Sequence, residues 1–312
     1  MRRPMAHTTP AAEAARALAA GALGRDPGPM TAAGSASHEV FVGSDLVVKV
    51  IDAAGHNRLD RETALVPHLP AGLTASLVGS GLSRVGDRTV RYACYTRVPG
   101  TAPGIGMPGT DTATARSLAE QAVARLDRLH RWSPPERAAG VLADPPGDGG
   151  FTGRAALLDG VERLADADRD GAVAARLIDG LAALARTAPE SARSAVPVHA
   201  DAHWGNWLAC GGAVSALLDF EWARFGEPAD DWFFLIRFSG GHGGTVLRVV
   251  ADLTGTDLRS LCAACEVREA AYLVSDLRSA LSPPTPDPRL AGERLASLEE
   301  LVVERRWWNP RR

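Results

Sequence analysis

Asp201, Asn206 and Asp219 carry the oxygen chemistry of this sequence. Two fall in Val198-His199-Ala200-Asp201-Ala202-His203-Trp204-Gly205-Asn206, and the third follows in Leu217-Leu218-Asp219-Phe220-Glu221. One carboxylate for the proton of a hydroxyl and two oxygen ligands for a divalent cation form the set that magnesium-dependent phosphoryl transfer requires. The intervening residues read as a hairpin. A two-residue turn at Gly211-Gly212 pairs Cys210 with Ala213 and so sets Asn206 opposite Leu217. Leu217 and Asp219 share a face, so Asn206 and Asp219 emerge together at the open end, about 7 Å apart at the backbone. They are expected to hold Mg²⁺, which leaves Asp201 to accept or orient the hydroxyl proton.

A second pair belongs with them. The basic residues number 34, yet Lys49 is the only lysine. It lies mid-strand in Leu46-Val47-Val48-Lys49-Val50-Ile51, where an ammonium is costly unless an anion meets it. Glu62 is the partner: Leu59, Glu62, Val66 and Leu69 recur at helical spacing, so Glu62 projects from the apolar face of the next helix. A strand lysine held by a helix glutamate is suited to presenting an ammonium to nucleotide phosphates.

These groups need elements to position them. Ala11–Ala22 reads as a helix, Gly24–Thr31 as a connector, and His38–Val42 and Leu46–Ile51 as strands around Gly43-Ser44-Asp45. Asn57–Val66 reads as a helix that Pro67 ends. Leu73–Val78 and Val90–Val98 read as further strands. Helical patterns then dominate, over Ala113–Trp132, Ala155–Leu164, Ala172–Ala188, Trp232–Phe238, Leu258–Leu281 and Leu290–Trp307, with Asp230 or Asp231 as the cap of the fourth. The expectation is an α+β, two-lobed chain: residues 1–98 a small β-rich lobe, residues 99–312 a larger, mostly helical one.

Composition narrows the function classes. A net charge of −3 over 312 residues gives no reason to expect nucleic acid as a partner. Four scattered cysteines fit reduced thiols in a cytoplasmic protein, and Cys262-x-x-Cys265 fits core packing. No apolar run is long enough to span a membrane, and the N-terminal residues do not read as a signal peptide.

In these motifs the chain resembles the aminoglycoside phosphotransferase family of small-molecule kinases, a branch of the protein-kinase-like fold that includes choline kinases. His199-x-Asp201-x-x-x-x-Asn206 is similar to its catalytic loop, and Leu218-Asp219-Phe220-Glu221 to its metal-binding segment. Gly226-Glu227-Pro228-Ala229-Asp230-Asp231 is similar to the downstream G-x-P-x-x-D element. Tyr95–Gly100 is similar to the hinge between lobes. The resemblance implies Asp201 as catalytic base, Asn206 and Asp219 as Mg²⁺ ligands, and Lys49, held by Glu62, on the phosphates of ATP or GTP. It implies backbone contacts to the base around Thr96 and Val98, phosphate contacts around Gly34 and Ser35, and Asp231 bracing the catalytic loop with His199 packed beneath. The Gly34–His38 turn lacks the glycine-rich phosphate loop of protein kinases, and Trp204 stands where the family often has proline.

The acceptor is expected to be a small molecule bound by a monomer or homodimer, with His203, Trp204, Glu221 and Trp307 as candidate contacts. Residues 241–312 hold ten Asp/Glu and ten Arg, which does not suggest a strongly acidic cleft for a polycation. Trp307 and Trp308 among arginines fit a final helix docking by its Trp residues; the alternative is an aromatic, basic wall for a flatter antibiotic, such as a nucleoside of the capuramycin type, beside an aminoglycoside. Two other readings compete: a metal-dependent hydrolase built on His199, Asp201 and His203, and a nucleotide-binding regulatory module without catalysis.

Overall fold

A computed structural model describes residues 9–35, 37–147, 150–193, 195–282 and 286–309. Helix α1 (Pro10–Leu23) starts at Thr9, whose hydroxyl accepts from the Ala12 N–H, and ends at Gly24 in the left-handed region. Ala12, Ala15, Leu18 and Ala19 form its buried stripe, which packs on one face of an antiparallel sheet. The sheet comprises β1 (Thr31–Ala33), β2 (Glu39–Val42), β3 (Leu46–Asp52), β4 (Leu77–Val85) and β5 (Arg88–Thr96), ordered β1-β2-β3-β5-β4. In β3 the period of two sends Leu46, Val48 and Val50 into the core under α1. Lys49 therefore points to the opposite face. There α2 (Arg58–Leu65) lays Leu59, Glu62 and Leu65 inward.

The segment expected as a strand from Leu73 to Val78 enters the sheet only at Leu77. Its first residues are committed elsewhere: Pro70-Ala71-Gly72 makes a turn closed by Leu73 N–H on the Pro70 carbonyl. The Leu73 carbonyl then accepts from Leu217, tying this segment to the hairpin that precedes Asp219.

The larger lobe is built around α3 (Thr112–His130), capped by Asp111, with Ala115, Leu118, Ala119, Ala122, Leu126 and Leu129 buried along it. Around it lie α4 (Glu136–Ala143), α5 (Arg154–Ala167), α6 (Ala175–Thr187), α7 (Pro228–Arg237), α8 (Gly243–Thr254), α9 (Leu258–Leu281) and α10 (Pro288–Val302). Helices α4 and α8 were not expected. Gly243 and Gly244 open α8 and lower its intrinsic propensity, but buried Val246, Val249 and Val250 offset that in the folded chain. The cap of α7 is Glu227, not Asp230 or Asp231; Asp230 answers it from the third helical position in a capping box, and Asp231 is free for another role.

Short strands β6 (Val196–Val198) and β9 (Arg224–Gly226) pair, as do β7 (Trp207–Cys210) and β8 (Ala213–Leu217). Cys210 pairs with Ala213 as the turn predicts, but a bulge at Ser215 shifts the rest, so Trp207, not Asn206, faces Leu217. The tertiary cause is visible: the Ser215 hydroxyl donates to the Pro99 carbonyl in the hinge. Gly100, at φ 129°, permits the same approach, since a Cβ there would lie 2.7 Å from the Ala209 carbonyl oxygen. All four cysteines are free thiols, and Cys94, Cys262 and Cys265 are buried.

Candidate functional site

The catalytic-loop candidate leaves β6 through a left-handed residue, Ala200 (φ 62°), which a non-glycine side chain adopts only when the surroundings hold it. Fully buried Asp231 supplies that hold. Its carboxylate accepts from the backbone N–H of His199 (3.1 Å) and of Ala200 (2.7 Å), and pairs with His130 Nε2 at 2.8 Å. His199 is also fully buried. Its Nδ1 accepts from the Asp201 N–H at 3.2 Å, which leaves Nε2 to donate to the Leu218 carbonyl at 2.8 Å. One imidazole thus ties the loop of Asp201 to the strand end that carries Asp219.

At the end of this scaffold Asn206 donates through Nδ2 to the Asp201 carbonyl (2.9 Å) and to Asp201 Oδ2 (3.0 Å). Its amide oxygen is thereby turned away from Asp201. Burial, with the nearby Asp219 charge, pushes the Asp201 carboxyl up to about 8, against the opposing hydrogen bond from Asn206. His203 Nε2 stands 3.6 Å from Asp201 Oδ1. Burial lowers that imidazole to about 4, so it faces Asp201 neutral.

Asp219 sits at φ 70° in the left-handed region, directing its side chain back toward the small lobe. Lys49 Nζ meets Glu62 Oε2 at 2.8 Å and Asp219 Oδ1 at 3.1 Å. Burial works against the ammonium, but the two carboxylates outweigh it and hold Lys49 above its ordinary value. Carboxylate oxygens of Glu62, Asp219 and Glu221 lie within 4.8 Å of one another. This all-oxygen donor set fits a hard cation such as Mg²⁺.

The remaining candidates divide. In the turn between β1 and β2, the Ser35 hydroxyl accepts from the His38 N–H at 3.4 Å, and Gly34 stands in open space; Ala36 lies outside the described residues. His38, not singled out from sequence, reaches across the cleft to place Nε2 2.7 Å from Glu221 Oε1. Glu221 therefore faces the small lobe and Arg58, not an acceptor. At the hinge the Thr96 N–H is committed to the Ser76 carbonyl and its hydroxyl oxygen to the Ser76 N–H, whereas Val98 lies two residues on, half-buried.

Two tryptophans expected at the acceptor are structural. Trp204 is fully buried beneath the loop and donates to Ser239 Oγ at 2.7 Å. Trp307 is buried at the end of α10 and donates to Glu269 Oε2 at 2.6 Å, so it docks the C-terminal segment. Indole rings of this size are stable inside the core when the N–H finds an acceptor. His203 touches Asp201 and the Phe238 ring.

What sequence reading missed is the wall beside Asp201. A cavity of about 580 Å³ opens there, lined by Phe151, Trp222, Phe233, Phe234 and Tyr272 from four separate segments. The sequence signal was Phe233-Phe234 with Phe238 one turn later, on a helix read only as packing. The hydrolase cluster does not form: both His199 ring nitrogens are occupied, and the convergent acidic cluster among the described residues excludes His199 and His203.

The same arrangement of lobes recurs in solved proteins. Aminoglycoside 2'-phosphotransferase-IIIa bound to GDP superposes with a TM-score of 0.64 at 18% identity, over 88% of this chain and 93% of that one. The ADP-bound aminoglycoside phosphotransferase APH(2'')-Ib gives 0.56 at 13% identity, over 88% and 92%. A thermostable mutant of aminoglycoside phosphotransferase APH(4)-Ia, in ternary complex with ADP and hygromycin B, gives 0.62 at 17% identity, over 92% and 97%. At these identities the likeness establishes the bilobal, protein-kinase-like fold. No curated protein sequence matches significantly. The profile of the phosphotransferase enzyme family matches residues 31–265, a span holding both the Lys49 strand and the Asp201–Asp219 segment, and the chain belongs to that family of small-molecule kinases.

Proposed function

We propose that this protein transfers the terminal phosphoryl group of ATP or GTP to a hydroxyl of a small molecule, an antibiotic in the first instance. One observation supports the reading: Asp201 lines the 580 Å³ cavity, accepts from Asn206, and lies close enough to Asp219 for that charge to raise its carboxyl.

In this reading the acceptor occupies the cavity with its hydroxyl on Asp201. The carboxylate takes the proton as the hydroxyl oxygen forms its bond to the terminal phosphorus, and the bridging P–O bond breaks, leaving ADP or GDP. Raised by burial and by the Asp219 charge, the Asp201 carboxyl binds a proton more strongly than an ordinary aspartate once it is ionised. Asn206 and Asp219 would hold the metal, and carboxylate oxygens of Glu62 and Glu221 converge with that of Asp219. Mg²⁺, when bound, neutralises phosphate charge. Lys49 presents its ammonium to the phosphates, and Glu62 keeps it in place. Asp231 and His199 position the loop without touching the reacting atoms.

The test is to incubate the protein with Mg²⁺, ATP or GTP, and a pooled antibiotic panel that includes aminoglycosides and capuramycin-type nucleosides. The expected result is a phosphate mass addition on one component that is lost when Mg²⁺ is chelated. Lys49→Ala is expected to lower kcat/KM for the nucleotide by about 10²-fold, the scale for losing one preorganised charge contact. Unchanged kinetics with both nucleotides would remove the role given to Lys49.

A further inference from the structure

Resting on the kinase reading above, we infer the chemical class of acceptor: a hydroxyl-bearing molecule with a flat aromatic ring and no net positive charge, in the manner of a nucleoside or an aromatic glycoside. Two observations carry it, and the space beside the wall accommodates it.

The charges of the wall are already spent. Among the described lining residues the acids are Asp201, Asp230 and Asp276. Asp230 is held by Arg224 at 3.0 Å and by Arg268 at 2.6 Å. Asp276 is held by Arg294 at 2.6 Å. Asp201 alone has no arginine, and it is reserved for the hydroxyl. A polyamine sugar carries several ammonium groups and requires several free carboxylates to offset their desolvation. This wall offers one.

Three of the five lining rings already face a guanidinium. The guanidinium of Arg58 lies 4.6 Å from the Trp222 ring, that of Arg294 5.1 Å from Tyr272, and that of Arg268 5.7 Å from Phe151. A ligand cation against those rings would meet like charge, so the attraction that such cages supply is lost. A neutral flat ring meets no such repulsion. Phe234 and Tyr272, both half-buried, stand at a 79° interplanar angle with centroids 5.7 Å apart, so the wall already packs rings edge to face and a planar guest would add to that set.

The cavity also continues. A second space of about 320 Å³ shares Phe151, Arg224, Ala271 and Ser275 with the first and extends between α5 and α9. Of its charged lining, Arg163 is paired with Asp159 and Arg224 with Asp230, so an elongated acceptor finds room there and no set of unpaired counter-charges has to be invoked.

The experiment compares two acceptor sets at saturating Mg²⁺ and nucleotide: uridine, adenosine and phenyl glucoside, against kanamycin and hygromycin B. Acceptor-dependent nucleotide turnover is read against the slow rate with water alone. The aromatic set is expected to give the higher kcat/KM. Phe234→Ala is expected to raise the aromatic acceptor's KM about 10-fold, the loss of one stacking contact, and Trp222→Ala, at a more exposed position, to do the same. Polycations turned over as well as or better than the aromatic set would overturn the inference. So would turnover of neither set above the water rate, or an aromatic KM indifferent to both variants. Failure of the kinase reading looks different: no Mg²⁺-dependent nucleotide binding and no Asp201-dependent hydrolysis, whatever the acceptor.

Discussion

Asp201→Asn is expected to lower kcat by about 10²- to 10⁴-fold, the range for removing a positioned general base. The asparagine keeps the size of the side chain and an oxygen that can accept from Asn206, so the loop geometry survives. What is lost is the capacity to take a proton. Nucleotide affinity is expected to hold within about 2-fold, because the proposed mechanism gives the phosphate contacts to Lys49, which is bound by Glu62 and Asp219 and not by Asp201. Steady-state kinetics together with nucleotide titration separate the two quantities. Equal losses from Asp201→Asn and from Arg289→Ala, a change at an exposed helix position, would end the case for a base.

Asp231→Ala is the change expected to cost most in stability, about 3–5 kcal/mol, the scale for breaking a buried charged network on one side. It leaves the N–H groups of His199 and Ala200 and the ring of His130 without their acceptor in a site closed to water. Against a total of about 5–15 kcal/mol for a folded domain, that is enough to populate unfolded chains near body temperature. Asp231→Asn is milder and adds a pH signature. Burial raises the Asp231 carboxyl, but His130 and the loop N–H outweigh it, so its folded value lies below its ordinary one. A depressed folded value means the contribution is complete above the unfolded value of about 3.9 and disappears as pH falls through the folded one. The stability gap between wild type and Asp231→Asn is therefore expected to be widest near neutrality and to narrow in acid. Urea unfolding midpoints at a series of pH values measure it. A gap independent of pH would contradict the charge-based account.

The parts of the site that were legible in the sequence are those whose cause is local. Asp201, Asn206 and Asp219 lie within twenty residues, and Lys49 betrays itself as a charge on an apolar strand. Glu62 follows from helical spacing, and the alternation of β3 follows from the same kind of count. The failures are tertiary. Ser215 bulges because its hydroxyl reaches Pro99, more than a hundred residues away in the chain. Leu73 leaves the sheet because Leu217 takes its carbonyl. Trp204 and Trp307 stayed open between packing and a substrate wall because nothing near them in sequence reveals Ser239 or Glu269 as partners for their N–H groups. The acceptor wall is the extreme case, since Phe151, Trp222, Phe234 and Tyr272 meet only after the helical lobe has closed.

The lone lysine has a consequence of another kind. Every other basic side chain is a guanidinium or an imidazole, so Lys49 is the sole side-chain primary amine of the chain. It is largely buried between two carboxylates at the mouth of the proposed phosphate site. Lysine-directed reagents thus find no second lysine to compete with it. Covalent capture of Lys49 by an activated nucleotide ester would report occupancy of a single lysine site, and any acylation of a lysine in this protein must strike that atom, after its ammonium gives up the proton that Glu62 and Asp219 stabilise.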